Sequence, residues 1–303
     1  LTDISDAKLY TLGIEAEALG ARLPPLTVAA SRVAETVSPG AHGRRRVGQG
    51  ESFWQFRPYQ TGDTIERIDW RQSGKGDRIF IRETEWAAAQ TVWLWRDAGP
   101  GMDYRSSPKL PTKRERSELL LLALASLLAR GGERIALLGG GKQPSSGRGA
   151  LGAILAGLGR ETRLETIDRA VPRHATLIMF GDFLDPLDKI EAAFDRIAAP
   201  GVAAQIVQIL DPAEMALAFK GRVLFREMAE DMQENEALIP RVEAIKQDYL
   251  AALKKQQDGL ATLAKARGWE FMIHSTDVKA ETPLRALHAN LSAGPTGAAA
   301  GSI

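Results

Sequence analysis

Two aspartates stand where this sequence could assemble a site. Asp97 follows the run Thr91-Val92-Trp93-Leu94-Trp95-Arg96 and precedes Ala98-Gly99-Pro100-Gly101-Met102. Asp182 closes Met179-Phe180-Gly181-Asp182-Phe183 in the same manner. Unbroken apolar and β-branched runs of this length fit strands buried on both faces. In open α/β sheets, ligands bind just beyond the carboxyl ends of the strands, so an acid there sits at a site position. With the strand order 3-2-1-4-5-6, strands one and four are neighbours at the switch point, and two carboxylates meeting there could hold a hard divalent cation. Mg²⁺, however, takes six oxygens in near-octahedral geometry. The loop after Asp97 offers Ala98, Gly99 and Gly101 where hydroxyls would help, and residues 139–149 contain no threonine. A metal would be held by Asp97, Asp182 and water alone. The alternative is that both acids cap turns or helices by accepting backbone N–H groups.

Other chemistries find less support. Aspartyl phosphatases of the haloacid dehalogenase type carry a second Asp two residues after the nucleophile, and here that position is Gly99. The stretch Gly139-Gly140-Gly141-Lys142 lacks the earlier glycine and the following Ser or Thr of a phosphate loop, having Ala136 and Gln143 instead. His42, His174, His274 and His288 are scattered, without zinc-ligand spacing. No Gly-x-Ser-x-Gly elbow offers a serine nucleophile.

A second concentration of useful side chains precedes Asp97. Between His42 and Arg82 basic residues interleave with Phe53, Trp54, Phe56, Tyr59, Trp70 and Phe80, although aromatics are only 6% of the chain. Alternation of these cations with Asp63, Glu66 and Asp69 favours an ion-paired or protein-docking face over a nucleic-acid surface. The docking candidates are Arg57, Tyr59, Gly62, Asp63, Arg67, Asp69, Trp70 and Arg71. In that reading the arginines pair with acids, Gly62 permits the turn, Asp63 caps it, and Tyr59 and Trp70 anchor it. The competing reading is a satellite hydrophobic cluster beneath a long loop.

The elements that would position these residues follow from periodicity. Strand patterns at Thr91–Trp95, Arg134–Leu138, Thr176–Phe180, Ala203–Leu210 and Glu270–His274 alternate with helical ones at Lys113–Arg130, Leu151–Gly159, Leu187–Ala198 and Leu238–Arg267. Such alternation predicts a doubly wound, mostly parallel α/β sheet in three layers. Lys113–Arg130 has a charged first turn and is then apolar on nearly every side, which predicts a central, buried helix. Gly221–Met228 reads as an extra edge strand. Before this sheet, Asp6–Ala21 reads as a helix, and Ser52–Arg57 and Arg78–Thr84 as strands joined by the turn-rich Tyr59–Arg71. The expected organisation is an N-terminal helix and linker over 1–40, a small β-rich insertion over 41–90, the α/β domain over 91–293, and a flexible tail over 294–303.

Bulk properties narrow the function. A net charge of +1 gives no global attraction to nucleic acid or anionic lipid. The absence of cysteine excludes disulfides and thiolate chemistry and fits a reducing compartment. The longest apolar run, Leu119–Ala129, is shorter than the roughly 20 residues a bilayer helix needs. The chain opens Leu1-Thr2-Asp3-Ile4, with no signal-peptide pattern and no initiator Met. The expected location is the cytoplasm.

Arg57-Pro58-Tyr59-Gln60-Thr61-Gly62-Asp63 continuing into Arg67-Ile68-Asp69-Trp70 resembles the hallmark segment of a bacterial family known as domain of unknown function 58. The preceding Gly43-Arg44-Arg45-Arg46-Val47-Gly48-Gln49-Gly50 and the later Leu210-Asp211-Pro212-Ala213-Glu214 and Gly221-Arg222-Val223-Leu224-Phe225 resemble it too. The likeness spans about residues 40–290. It implies a core similar to a von Willebrand factor A domain, whose ligand site is a metal-ion-dependent adhesion site. Carried over by position, the D-x-S-x-S motif of that site falls on Asp97, Gly99 and Gly101, and its later strand-end aspartate on Asp182. Both serines are missing, so the site would be degenerate. The resemblance also implies partnership with a MoxR-type AAA+ ATPase in chaperone-like assembly or maturation of proteins. The expectation is therefore a non-enzymatic interaction protein with no cofactor and no nucleic-acid partner. A divalent-metal-dependent (Mg²⁺) binding domain and a hydrolase are the alternatives.

Overall fold

The computed structural model describes residues 2–26, 53–59, 68–76, 78–84, 89–160, 162–226 and 236–293. In chain order the elements are α1 (Thr2–Gly20), β1 (Phe53–Pro58), α2 (Trp70–Ser73), β2 (Phe80–Thr84), β3 (Thr91–Arg96), α3 (Lys113–Arg130), β4 (Arg134–Leu137), α4 (Arg148–Gly157) and β5 (Thr176–Gly181). They continue with α5 (Leu187–Ile197), β6 (Ala203–Leu210), α6 (Pro212–Ala216), β7 (Val223–Arg226), β8 (Glu236–Ile239), α7 (Val242–Ala266), β9 (Glu270–Ser275) and α8 (Glu281–Ala293). By contacts the chain divides into one unit of residues 1–29 and 90–303 and another of residues 30–89.

The larger unit is a doubly wound α/β fold. Its five-stranded sheet has the order β4-β3-β5-β6-β9, and every neighbouring pair is parallel. Numbered along the chain, the strands run 2-1-3-4-5, not the expected 3-2-1-4-5-6. The switch point therefore lies between the first and third strands, β3 and β5, and Asp182 ends the third. The two aspartates remain neighbours, for a different topological reason.

Side-chain alternation along the strands builds two cores. Val92 and Leu94 of β3, Ile178 and Phe180 of β5, and Val207 and Ile209 of β6 pack on one face with Leu120–Leu128 of α3 and with Leu284, Leu287 and Leu291 of α8. Trp93, Trp95, Leu177, Met179 and Ile206 point to the other face, against Ile190, Phe194 and Ile197 of α5 and Leu260 and Ala264 of α7. Helix α3 is buried from Leu120 to Leu128, as a helix without a polar face must be. Its N-terminus carries a capping box: Glu115 N donates to Thr112 Oγ1 at 3.0 Å, and Thr112 N donates to Glu115 Oε2 at 2.9 Å. At its other end, a Cβ on Gly131 would lie 1.9 Å from the Leu26 carbonyl oxygen, so only glycine admits the chain leaving α1. Helix α1 lies against α3, with Ala16 in the core.

Two expectations need correction. The helix expected from Leu238 begins at Val242, because Leu238 belongs to β8 and Pro240 turns the chain away from helical geometry just before it. The edge strand expected at Gly221–Met228 does not join the main sheet. Its Val223–Arg226 pairs antiparallel with β8 as a separate hairpin, Leu224 opposite Leu238.

In the smaller unit, β1 pairs antiparallel with β2, and Ile68 bridges to Ile81. The basic loop expected at 43–50, most of the 59–71 connection and the tail at 294–303 lie outside the described residues. Among the described residues, no helix is long and apolar enough to cross a membrane.

Candidate functional site

Beyond the carboxyl ends of β3 and β5 lies a crevice of about 1030 Å³. The size is at the upper end for small-molecule pockets. Its apolar lining comes from Leu164, Leu184, Leu217, Phe219 and the β7 residues Val223–Phe225. The charged lining is Asp97, Glu165, Asp182, Asp185 and Glu214 with the cations Lys113, Arg163 and Arg226.

Asp97 is held by the register of β3 on β5: its N–H donates to the Phe180 carbonyl at 2.8 Å. Its Oδ1 accepts from Gly99 N at 2.8 Å, the turn bond that the capping alternative describes. Arg114, the second residue of α3, braces the turn that follows. It pairs with Asp103 at 2.5 Å and donates to the Ala98 carbonyl at 3.0 Å. Burial pushes the Asp97 carboxyl up to about 6, against the Gly99 bond and with help from the nearby Asp182 and Asp185 charges. Burial, and then the Asp182 charge, likewise raise Asp185.

Asp182 is reached by a residue that its own segment does not announce. Lys113, the first residue of α3, places Nζ 2.9 Å from Asp182 Oδ2 and 2.6 Å from Glu214 Oε1, with its side chain 2% exposed. Glu214 is presented by α6, where Asp211 N donates to Glu214 Oε2 and Asp211 Oδ1 accepts from Ala213 N, both at 2.8 Å. The Tyr249 hydroxyl of α7 donates to the Glu214 carbonyl at 2.7 Å, and Gln208 Nε2 of β6 donates to the Asp182 carbonyl at 2.8 Å. Burial works against the Lys113 charge, yet Asp182 and Glu214 together hold the ammonium above its ordinary range. Glu214 is itself raised by burial in spite of Lys113, and Tyr249 is pushed up to about 12 by burial and the Glu214 charge.

The donor set does not fit the divalent cation considered for Asp97 and Asp182. The oxygens of Asp182 and Glu214 converge on one point, and the Lys113 ammonium holds it. Among the described residues, no group of three or more His, Cys, Asp or Glu side chains is arranged to hold a metal ion. A Cβ at Gly101 would come within 3.2 Å of Asp182 Oδ2, so a side chain at that position would crowd the pair.

The docking candidates divide. Gly62, Asp63 and Arg67 lie outside the described residues. Arg57, in β1, pairs with Ile81. Asp69 caps α2 by accepting from Gln72 N at 2.8 Å. Trp70 is 66% exposed; Tyr59 and Ile79 are exposed too and joined by a backbone bond of 2.8 Å, and Arg71 is exposed as well.

No motif marks Lys113 or Tyr249, and Glu214 enters the sequence reading only as the end of the family-like stretch Leu210–Glu214. One signal was available. A lysine opening a helix has the wrong sign for the dipole, and Arg114 and Arg116 repeat the mismatch in the same turn. Buried cations there require carboxylates or carbonyls brought by the tertiary fold.

A family model described as "Protein of unknown function DUF58" matches residues 55–259. The uncharacterized proteins Mb1516 of Mycobacterium bovis and Rv1480 of Mycobacterium tuberculosis are each 23% identical to this chain over 284 residues, covering 86% of it and 85% of their own length. A solved structure of the conserved hypothetical protein BatB from Bacteroides thetaiotaomicron aligns with a TM-score of 0.34 at 10% identity, covering 66% of this chain and 96% of that one. The chain belongs to the DUF58 family.

Proposed function

We propose that this DUF58 chain is a non-enzymatic, cytoplasmic protein-interaction domain with a von Willebrand factor A-like core. Its partner in this reading is a MoxR-type AAA+ ATPase, in chaperone-like assembly or maturation of other proteins. The observation that carries the reading is the lining of the crevice. A large opening at the switch point combines apolar and aromatic lining with charged lining in which acids outnumber cations, and none of its described lining residues is Ser, Thr, Cys or His. Acyl transfer would need an activated nucleophile with a base in reach. An apolar groove with carboxylates suits a partner segment that carries apolar and basic side chains. The exposed Tyr59, Trp70 and Ile79 of the smaller unit offer a second contact surface, of the composition that interface hot spots favour.

The test is direct binding of the purified chain to a MoxR-type ATPase, by calorimetry and by co-elution. Absence of a complex in every nucleotide state of the ATPase sinks the partner assignment. One observation favours a hydrolase as the second reading: Asp97 at about 6 lies in the range of a general base. A hydrolase panel comparing wild type with Asp97→Asn separates the two, and activity abolished by the substitution would replace the binding reading.

A further inference from the structure

The crevice already contains a cation, and that cation is part of the chain. Lys113 Nζ bonds Asp182 from the end of β5 and Glu214 from α6. Asp97, at the end of β3, adds a third carboxylate whose charge the same neighbourhood must tolerate. Of the three donors of an ammonium, two are committed to these carboxylates. Mg²⁺ binds oxygens at about 2.0–2.1 Å and Ca²⁺ at about 2.3–2.6 Å. An ion bound by both Asp182 and Glu214 would compete for the oxygens that the lysine holds, and one bound between Asp97 and the other Asp182 oxygen would stand against its positive charge. Removing one partner of such a buried pair leaves an uncompensated buried charge, so the lysine does not yield its place to a weakly held ion.

We propose that Lys113 is the resident counter-cation of this site: it stands in for a divalent metal, and ligand binding in the crevice is metal-independent. The mechanism differs from metal-mediated binding in kind. A bound metal offers an open coordination position to a ligand oxygen, whereas Lys113 neutralises and orients Asp182 and Glu214 and leaves the Asp97 carboxylate, whose Oδ1 accepts from Gly99 N, outside the ion pair. Lys113 is thus a positioning residue. The proposal does not depend on which protein the partner is.

The experiment is Mn²⁺ titration of the full chain, read by calorimetry and by thermal unfolding, for wild type, Lys113→Ala, Asp182→Asn and the double variant. Wild type and Asp182→Asn are expected to show no Mn²⁺ response. Lys113→Ala, which leaves the acids uncompensated, is expected to gain a Mn²⁺ response at concentrations at least about tenfold below any at which wild type responds, since affinity for hard cations rises with ligand charge. The double variant is expected to lose that gain. A wild-type Mn²⁺ response abolished by Asp182→Asn overturns the proposal, and so does a folded Lys113→Ala that binds no more tightly than wild type. Should Lys113→Ala fail to fold, the wild-type and Asp182→Asn pair decides: indifference in both sustains the proposal, and a response lost in the variant overturns it.

Discussion

At the scale of single residues, Asp97 and His274 oppose each other as pH changes. Burial raises Asp97 from 3.8 to about 6, so the folded chain holds a proton there that the unfolded chain releases. The resulting stability is full below pH 3.8 and is lost as pH rises through about 6. Asp97→Asn is neutral at every pH and still accepts the Gly99 bond. It is expected to raise stability at pH 7 by up to about 3 kcal/mol, with the gain vanishing near pH 4. Urea denaturation at the two pH values checks it, and no gain at pH 7 would show that the carboxylate is not strained by burial. His274 behaves in the opposite sense. Burial and then the Arg116 guanidinium, 3.2 Å away, lower it from 6.5 to about 4. The unfolded chain takes up a proton first as pH falls, so stability declines from about pH 6.5 to about pH 4. In wild type the Asp97 gain masks much of this decline over the same window. The Asp97→Asn background is therefore expected to show the steeper acid limb, and His274→Gln in that background to flatten it. An unchanged limb would remove His274 as its cause.

At the scale of elements, α3 joins core to site, and its first turn is the part most exposed to test. Thr112 Oγ1 holds Glu115 N at 3.0 Å, and Lys8 pairs with Glu115 at 2.7 Å. Thr112→Ala is expected to lower stability by about 1 kcal/mol, the usual worth of an N-cap. A fall in the chemical-denaturation midpoint at constant slope would report it, and an unchanged midpoint would mean that tertiary contacts alone fix this end of the helix. The same helix shows what the sequence made legible. Its span and its burial follow from Leu119–Ala129 lacking a polar face, and the five strands follow from their apolar runs. Strand order did not, because 3-2-1-4-5-6 and 2-1-3-4-5 place the same runs in different neighbourhoods and only long-range pairing chooses. Leu238 looked helical because a short apolar run fits either period. Pro240 was the stronger signal. Lys113 was visible as a misplaced charge, while Asp182, 69 residues away, and Glu214, 101 residues away, could be joined to it only by the fold.

At the scale of the molecule, the contact division leaves two separate surfaces that a partner could read. Residues 30–89 expose Tyr59 at 38%, Trp70 at 66% and Ile79 at 45%. The α/β unit exposes Leu224 at 43% on the hairpin that walls the crevice. Neither side chain is buried, so Trp70→Ala and Leu224→Asp should leave thermal stability within about 0.5 kcal/mol of wild type. If one partner engages both surfaces, each substitution weakens its capture independently. The Trp70 change should cost at least about tenfold, the scale of an aromatic hot spot. Effects of substitutions that share no contacts add to within about 0.5 kcal/mol, so a double variant that loses the product of the two factors would show two independent contacts. A double variant no worse than the stronger single one would mean that both residues serve a single coupled contact. Binding indifferent to Leu224→Asp would confine docking to the smaller unit and leave the crevice for another ligand. Binding indifferent to both substitutions would remove these surfaces from the interaction altogether.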